Sequence, residues 1–269
     1  MGKVAFMPNY SEESFHDEWA RSIDIDLVRV DEFFEACTAP ENCFILQNLG
    51  SLRGKKVLEL GCGAGEASVY LAKKGANVTA TDISSEMLNV VRKVAQKHNV
   101  VVMTKQCASD DINSEDEEFD IVYAANLLHH VNIEATLKEV LRVLKTGGIF
   151  ASWDPLAHNP VINIYRKLAG DVRTEDEHPL RMRDLALFRQ YFSEVQFNMT
   201  WFFSLWIFIK FYLFDKVDPN KERYWKKILI EHDRLRRIYS FLEKLDHGFL
   251  NIFPFMKRFC WNVTVIARK

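Results

Sequence analysis

The chain predicts an α/β fold with a doubly wound, mostly parallel sheet, and three observations carry that prediction. An aliphatic run, Val57-Leu58-Glu59-Leu60, ends in the glycine turn Gly61-Cys62-Gly63-Ala64-Gly65 and passes at once into Ala67-Ser68-Val69-Tyr70-Leu71-Ala72, whose apolar spacing is helical. A second run, Asn77-Val78-Thr79-Ala80-Thr81-Asp82, ends in an acid about twenty residues after the turn, where doubly wound folds keep a ribose-binding carboxylate. From there strand and helix patterns alternate through Trp153, as right-handed parallel crossovers require.

The turn reads as a ligand site. Glycines let backbone approach a bound molecule, and the helix behind them offers unpaired N–H groups. Spacing excludes a dinucleotide fingerprint: counted from Gly61 the third glycine position holds Glu66, and counted from Gly63 it holds Ser68. The pattern present, E-x-G-x-G-x-G from Glu59 to Gly65, resembles the first motif of class I S-adenosylmethionine-dependent methyltransferases. That resemblance implies S-adenosylmethionine as cofactor and S-adenosylhomocysteine as product. It also implies a Rossmann-like seven-stranded sheet of order 3-2-1-4-5-7-6, with Glu59, Gly61, Cys62, Gly63, Gly65 and Asp82 at the cofactor. The plainer alternative, a turn that only packs strand on helix, explains the glycines and leaves Asp82 unexplained.

Composition sets bounds. The chain has 269 residues, 48% of them hydrophobic, enough for one large domain or a domain with a substantial insertion. With 35 basic and 37 acidic residues the formal net charge is −2, so no global positive field points to nucleic acid. Cys37, Cys43, Cys62, Cys107 and Cys260 are scattered, without metal-ligand spacing or a disulfide framework, and no metal is expected. The first residues lack a signal-length apolar run, and Phe6 breaks the myristoylation pattern, so a cytoplasmic protein with reduced thiols is expected.

Along the chain, residues 1–50 form a helical lead-in with Phe15, Trp19, Ile23 and Leu27 at helix-like intervals. The bland reading is a packing arm. In the resembled family such a segment covers the cofactor or closes the substrate pocket, which makes Tyr10, His16 and Trp19 lid candidates. After Asp82 and Ile83, Ser84 and Ser85 stand in capping position for a second helix through Met87, Leu88, Val91 and Val94. The third strand is read at 100–103. The adenine-side segment after it is assigned by resemblance to Ala108, Ser109 and Asp110. Next, 118–131 resembles the fourth-strand motif of ubiquinone/menaquinone-type methyltransferases down to its Leu-His-His-Val ending, which implies Asn126 and Leu127 at the methionine part of the cofactor; Ile83 and Met87 are counted with the cofactor-binding residues as well. A helix ending at Gly147-Gly148 and a fifth strand at 149–153 complete the recognisable part.

The remainder selects the substrate. Strand six is read at 192–199 and strand seven at 262–267, with about sixty residues between them, so the chain divides into a 1–50 lid, a 51–200 core, a 201–258 helical insertion and a 259–269 last strand. The insertion opens on the aromatic run Trp201 to Phe214, which Lys210 interrupts and which is shorter than the ~20 apolar residues of a membrane crossing. Three uses are open: a cap over a large apolar substrate, with Trp201 and Trp206 lining it; an amphipathic surface on anionic lipid; or a subdomain that buries its own aromatics.

Methyl transfer from a sulfonium is an in-line displacement, in which positioning supplies up to about 7–11 kcal/mol and a general base about 10²–10⁴-fold. Candidates for the base or its orienting partner are His130, His158 and Asp154; His129 and His178 are placed nearer the substrate, and each has a capping or interior alternative. The first reading is a methyltransferase for a small apolar or aromatic acceptor. Its rivals are a methyltransferase for a polar amine or sugar whose insertion makes a homodimer, and a non-catalytic cofactor-binding module on a membrane or protein partner.

Overall fold

A computed structural model describes residues 12–168 and 177–269 of the chain. Strand β1 (Lys56–Leu60) is an interior strand, third in a seven-stranded sheet of order β3-β2-β1-β4-β5-β7-β6. Val57, Leu58 and Leu60 are wholly buried, which a central strand covered by helices on both faces requires. Its parallel neighbours are β2 (Asn77–Asp82), with Leu58 opposite Thr79, and β4 (Phe119–Ala125), with Leu58 opposite Val122. Beyond them lie β3 (Val102–Gln106) and β5 (Leu144–Pro155). The last pair, β6 (Glu194–Thr200) and β7 (Asn262–Arg268), is antiparallel, with β7 inserted between β5 and β6. The predicted order is the observed one.

Helices form where the apolar stripe meets a cap. The lead-in supplies α1 (Glu12–Arg21), α2 (Glu32–Glu35) and α3 (Pro40–Leu49), and the glycine turn launches α4 (Glu66–Lys73). In α5 (Ser85–Lys97), Ser84 Oγ accepts from Met87 N at 3.0 Å, and Met87, Val91 and Val94 are buried. Asn132 caps α6 (Ile133–Val143) in the same way, accepting from Ala135 N at 3.1 Å. Burying Leu137 and Val140 of that helix contributes about 1.5–3 kcal/mol each. After β5 come α7 (Pro160–Leu168) and α8 (Leu185–Tyr191).

Strand boundaries moved where the sheet is solvated. The third strand starts at Val102, two residues later than read, because Asn99 takes a positive φ of 54° and Val101 is exposed. It then runs through polar Thr104, Lys105 and Gln106, as an edge strand with one wet face does. The fifth strand starts at Leu144, ahead of the two glycines, so the helix stops before the glycine signal and Leu144 pairs with Phe119 across a register shift.

The stretch between β6 and β7 folds as α9 (Trp206–Leu213), α10 (Tyr224–Ile230) and α11 (His232–Ile252). Ile162, Trp201, Phe208, Phe211, Tyr224 and Tyr239 form a core of their own under it. Asp246 of α11 holds the entry to α9, accepting from Phe202 N at 3.1 Å and Ser204 Oγ at 2.7 Å. The lead-in is tied to the insertion as well: Thr38 Oγ1 donates to Ile228 O at 2.7 Å. Among the described residues, no helix is long and apolar enough to cross a membrane.

Candidate functional site

The sheet order reverses between β1 and β4, and the loops leaving those two strands open a crevice at their carboxyl ends, the place where doubly wound sheets bind ligands. A cavity of about 440 Å³ lies there. Gly61, Cys62 and Gly63 after β1, Asp82 at the end of β2 and Ile83 after it, Ala108 to Asp110 after β3, and Asn126 and Leu127 after β4 all line it, with Glu59 beneath. The sequence expectation assigned every one of these to the cofactor.

Backbone geometry makes the turn. Gly61, Gly63 and Gly65 all have positive φ, 64°, 49° and 85°. A Cβ on Gly61 would meet Leu127 Cδ1 at 2.8 Å and one on Gly65 would meet Val91 Cγ2 at 3.0 Å, so these two glycines allow the turn to pack. A Cβ on Gly63 would meet nothing within 4 Å, and Gly63 lines the cavity: its missing side chain leaves room for a ligand to approach the main chain. Gly65 itself is the left-handed N-cap of α4 and does not line the cavity, and Met87 is buried inside α5.

Asp82 is fixed by two main-chain donors, Gly63 N at 3.1 Å to Oδ2 and Ser84 N at 2.9 Å to Oδ1. Burial pushes its carboxyl upward, and these donors pull it back. Each oxygen keeps a second lone pair, enough to receive a diol. Glu59 accepts from Ser68 Oγ below the turn, and burial pushes it up to about 8. Asn126 takes a positive φ of 52° at the end of β4, held by its N–H to Trp153 O at 2.9 Å, and is exposed into the crevice. Ser109 turns its hydroxyl to Thr136 Oγ1 at 3.0 Å, so what it can present to a ligand is main chain.

The opposite wall comes from the lead-in and the insertion. Glu12, His16 and Trp19 of α1, Phe33 of α2 and Trp225 of α10 line that side. Helix α1 is held in place by Asp17, which accepts from Ser84 Oγ at 2.5 Å, and by Glu12, whose carboxylate lies 3.1 Å from His130 Nδ1 and 3.3 Å from His16 Nε2. Trp19 lies under Arg223 at 4.5 Å and Lys226 at 5.3 Å, which joins lid to insertion by cation–π contact.

Of the predicted reaction-centre residues, His130 and Trp19 line the cavity. His129 and Asp154 stand behind His130 as a buried pair, with Nδ1 to Oδ1 at 2.8 Å and the Asp154 carboxyl pushed by burial to about 8. His158 and His178 are exposed and outside the lining, and His178 N donates to His129 O at 2.7 Å. Trp201 is 2% exposed in the insertion core and Trp206 is 54% exposed on the outer face of α9, so neither reaches the cavity. Tyr10 and residues 174–176 of the charged loop lie outside the described residues. Sequence reading missed Glu12, Phe33, Glu66, Thr81, Cys107, Asn132 and Trp225. Trp225 sat in a basic aromatic stretch that offers no motif, and Glu12 was visible only as the acid four residues before His16.

Residues 58–152 match the family model described as a methyltransferase domain. Over 119 residues the chain is 40% identical to an uncharacterized methyltransferase of Synechocystis sp., covering 43% of this chain and 53% of that one. Over 112 residues it is 38% identical to a ubiquinone biosynthesis O-methyltransferase of Actinobacillus pleuropneumoniae, covering 39% of this chain and 48% of the relative. The chain thus spans about half the length of the curated relatives it matches. Among solved structures, phosphoethanolamine N-methyltransferase 2 of Haemonchus contortus, in complex with S-adenosyl-L-methionine, superposes with a TM-score of 0.59 at 17% identity, over 97% of this chain and 57% of that one. At that identity the likeness concerns the fold. Sheet order, glycine turn and the family match over residues 58–152 agree with one another: that segment is similar to a methyltransferase domain and sits in the seven-stranded order that the class I S-adenosylmethionine-dependent resemblance implies.

Proposed function

We propose that the chain transfers the methyl group of S-adenosylmethionine to a small, apolar or aromatic acceptor and releases S-adenosylhomocysteine. The observation that carries this reading is a 440 Å³ cavity, within the range of about 300–1,000 Å³ usual for small-molecule sites, that has the glycine turn and Asp82 on one side and Trp19, Phe33 and Trp225 on the other. Polar groups that suit a nucleoside and aromatic groups that suit a greasy acceptor face one space.

The bound cofactor supplies an electrophilic methyl on a sulfonium. The chain's own residues do the rest: Asp82 receives the ribose hydroxyls, Gly63 lets the main chain close on the ligand, and Asn126 and Leu127 border the methionine arm. The aromatic wall excludes water and orients the acceptor, which is where most of the rate gain in an in-line displacement arises. His130 and His16, bridged by Glu12, are the groups able to take the acceptor's proton. Asp154 serves as a positioning residue that holds the 128–130 turn through His129.

One observation favours a further membrane-surface role for the insertion. Ile238, Phe241, Leu245 and Ile252 make an exposed apolar stripe along α11, with Arg237 and Lys244 on its flank, as expected of a helix lying on anionic lipid. Likeness to relatives named for ubiquinone biosynthesis supports an apolar acceptor independently. Turnover of labelled cofactor against a panel of apolar phenols, quinols, amines and sugars tests the reading. Product with the phenol or quinol arm supports it, and product confined to polar amines or sugars overturns the acceptor class.

A further inference from the structure

We infer that His129, His130 and Glu177 form a divalent-cation site at the edge of the cavity, one that the distance along the chain from the histidine pair to Glu177 concealed and that the expectation of a metal-free protein passed over. One ligand atom from each residue lies within 4.8 Å of the other two. The two imidazoles belong to a single tight turn, Leu128–His130, and their ring centroids are 4.1 Å apart at a tilt of 42°.

A second observation sets this cluster apart from a chance meeting of polar groups. Each histidine is backed by its own carboxylate: His129 Nδ1 is 2.8 Å from Asp154 Oδ1, and His130 Nδ1 is 3.1 Å from Glu12 Oε1. Metal-binding histidines characteristically give their second ring nitrogen to a carboxylate, which fixes tautomer and ring orientation and raises ligand basicity. The tautomer in which Nδ1 donates to the carboxylate in both rings leaves the lone pairs on Nε2. The third ligand is held by main chain: His178 N donates to His129 O at 2.7 Å, and Leu180 N donates to Pro155 O at 2.9 Å, which anchors the segment following Glu177 against β5.

Two imidazoles and one carboxylate suit a transition ion of the zinc, cobalt or iron(II) class, and suit magnesium or calcium poorly. Three protein ligands leave a position for an outside oxygen, as metal centres that act on substrates do. Because His130 lines the cavity, the cation would sit at its edge. Giving the open position to an acceptor hydroxyl rests on the methyl-transfer reading; the binding of the cation does not. A cation there occupies the His130 lone pair, so proton acceptance falls to His16 across Glu12.

The test uses the full chain, stripped with chelator and titrated with Co²⁺ while its visible ligand-field bands are recorded, with Zn²⁺ then added in competition. The inference expects one Co²⁺ per chain with intense bands of low coordination number, displaced by Zn²⁺. Glu177→Gln and His130→Gln should each weaken binding at least about 10–100-fold at unchanged circular dichroism. No stoichiometric Co²⁺ binding, or binding that both variants leave intact, overturns it. Glu177 is partly exposed, so its variant keeps the test decisive even where a change at buried His129 fails to fold. S-adenosylhomocysteine binding by the same stripped sample is read separately: its loss counts against the methyltransferase reading, and its presence without cobalt binding counts against the cation site alone.

Discussion

The Gly63 amide donates to Asp82 Oδ2 across 3.1 Å, so the turn after β1 and the end of β2 are one hydrogen-bonded unit facing one cavity. The carboxylate is thereby aimed before any ligand arrives, and a ligand that uses it meets a group already ordered.

Asp82→Ala removes that acceptor. Hydrogen bonds to a charged group are worth about 1.5–3 kcal/mol, so S-adenosylhomocysteine affinity should fall about tenfold to a hundredfold by calorimetry. Unchanged affinity would mean that Asp82 serves only to brace the turn.

The two outer glycines and the middle one should part company when changed to alanine. Gly61→Ala adds a Cβ 2.8 Å from Leu127 Cδ1 to a backbone at φ 64°, whereas Gly63→Ala meets open space at φ 49°. Left-handed strain costs about 1–2 kcal/mol in both. Urea denaturation should find Gly61→Ala the less stable, and equal losses would show that Leu127 yields without cost.

Glu59 gives a pH signature. Its folded carboxyl titrates near 8 against an ordinary value of 4.5, so between those values the folded chain holds a proton that the unfolded chain has released. Stability from this group is full below about pH 4.5 and is lost as pH rises through about 8. In Glu59→Gln the fall in unfolding free energy from about pH 5 to about pH 8 should be shallower than in the parent chain. An unaltered slope would place the proton elsewhere.

Trp225 brings the insertion to the cavity, and Trp206 does not. Trp225→Ala should raise the acceptor's KM about tenfold, roughly 1.4 kcal/mol, while S-adenosylhomocysteine affinity stays put. Trp206→Ala should change neither. The reverse pattern would move the acceptor pocket to the outer face of α9.

These residues also mark what the sequence makes legible. Gly61 to Gly65 and Asp82 are readable because turn geometry and close approach demand particular residues at fixed spacing within one unit of strand, turn and helix. The sheet order followed from the family those spacings resemble. Glu12, Phe33 and Trp225 are as near the cavity, yet each comes from a different helix, and only tertiary packing brings them there. Trp201 and Trp206 failed as cavity residues for the same reason: an aromatic run shows that something is buried, while helix orientation decides what it faces. His129 shows a third kind of loss, since its neighbours Asp154 and Glu177 lie far along the chain and their meeting has no local signal.

The account rests on the cavity behind Gly63 being the cofactor site, and calorimetric titration of S-adenosylhomocysteine into the parent chain and into Gly63→Val, with circular dichroism to show both folded, addresses it most directly. The prediction is one ligand per chain for the parent and a loss of at least about a hundredfold, near 2.7 kcal/mol, for the variant. Equal affinity in the two folded proteins, or no binding by the parent, contradicts it.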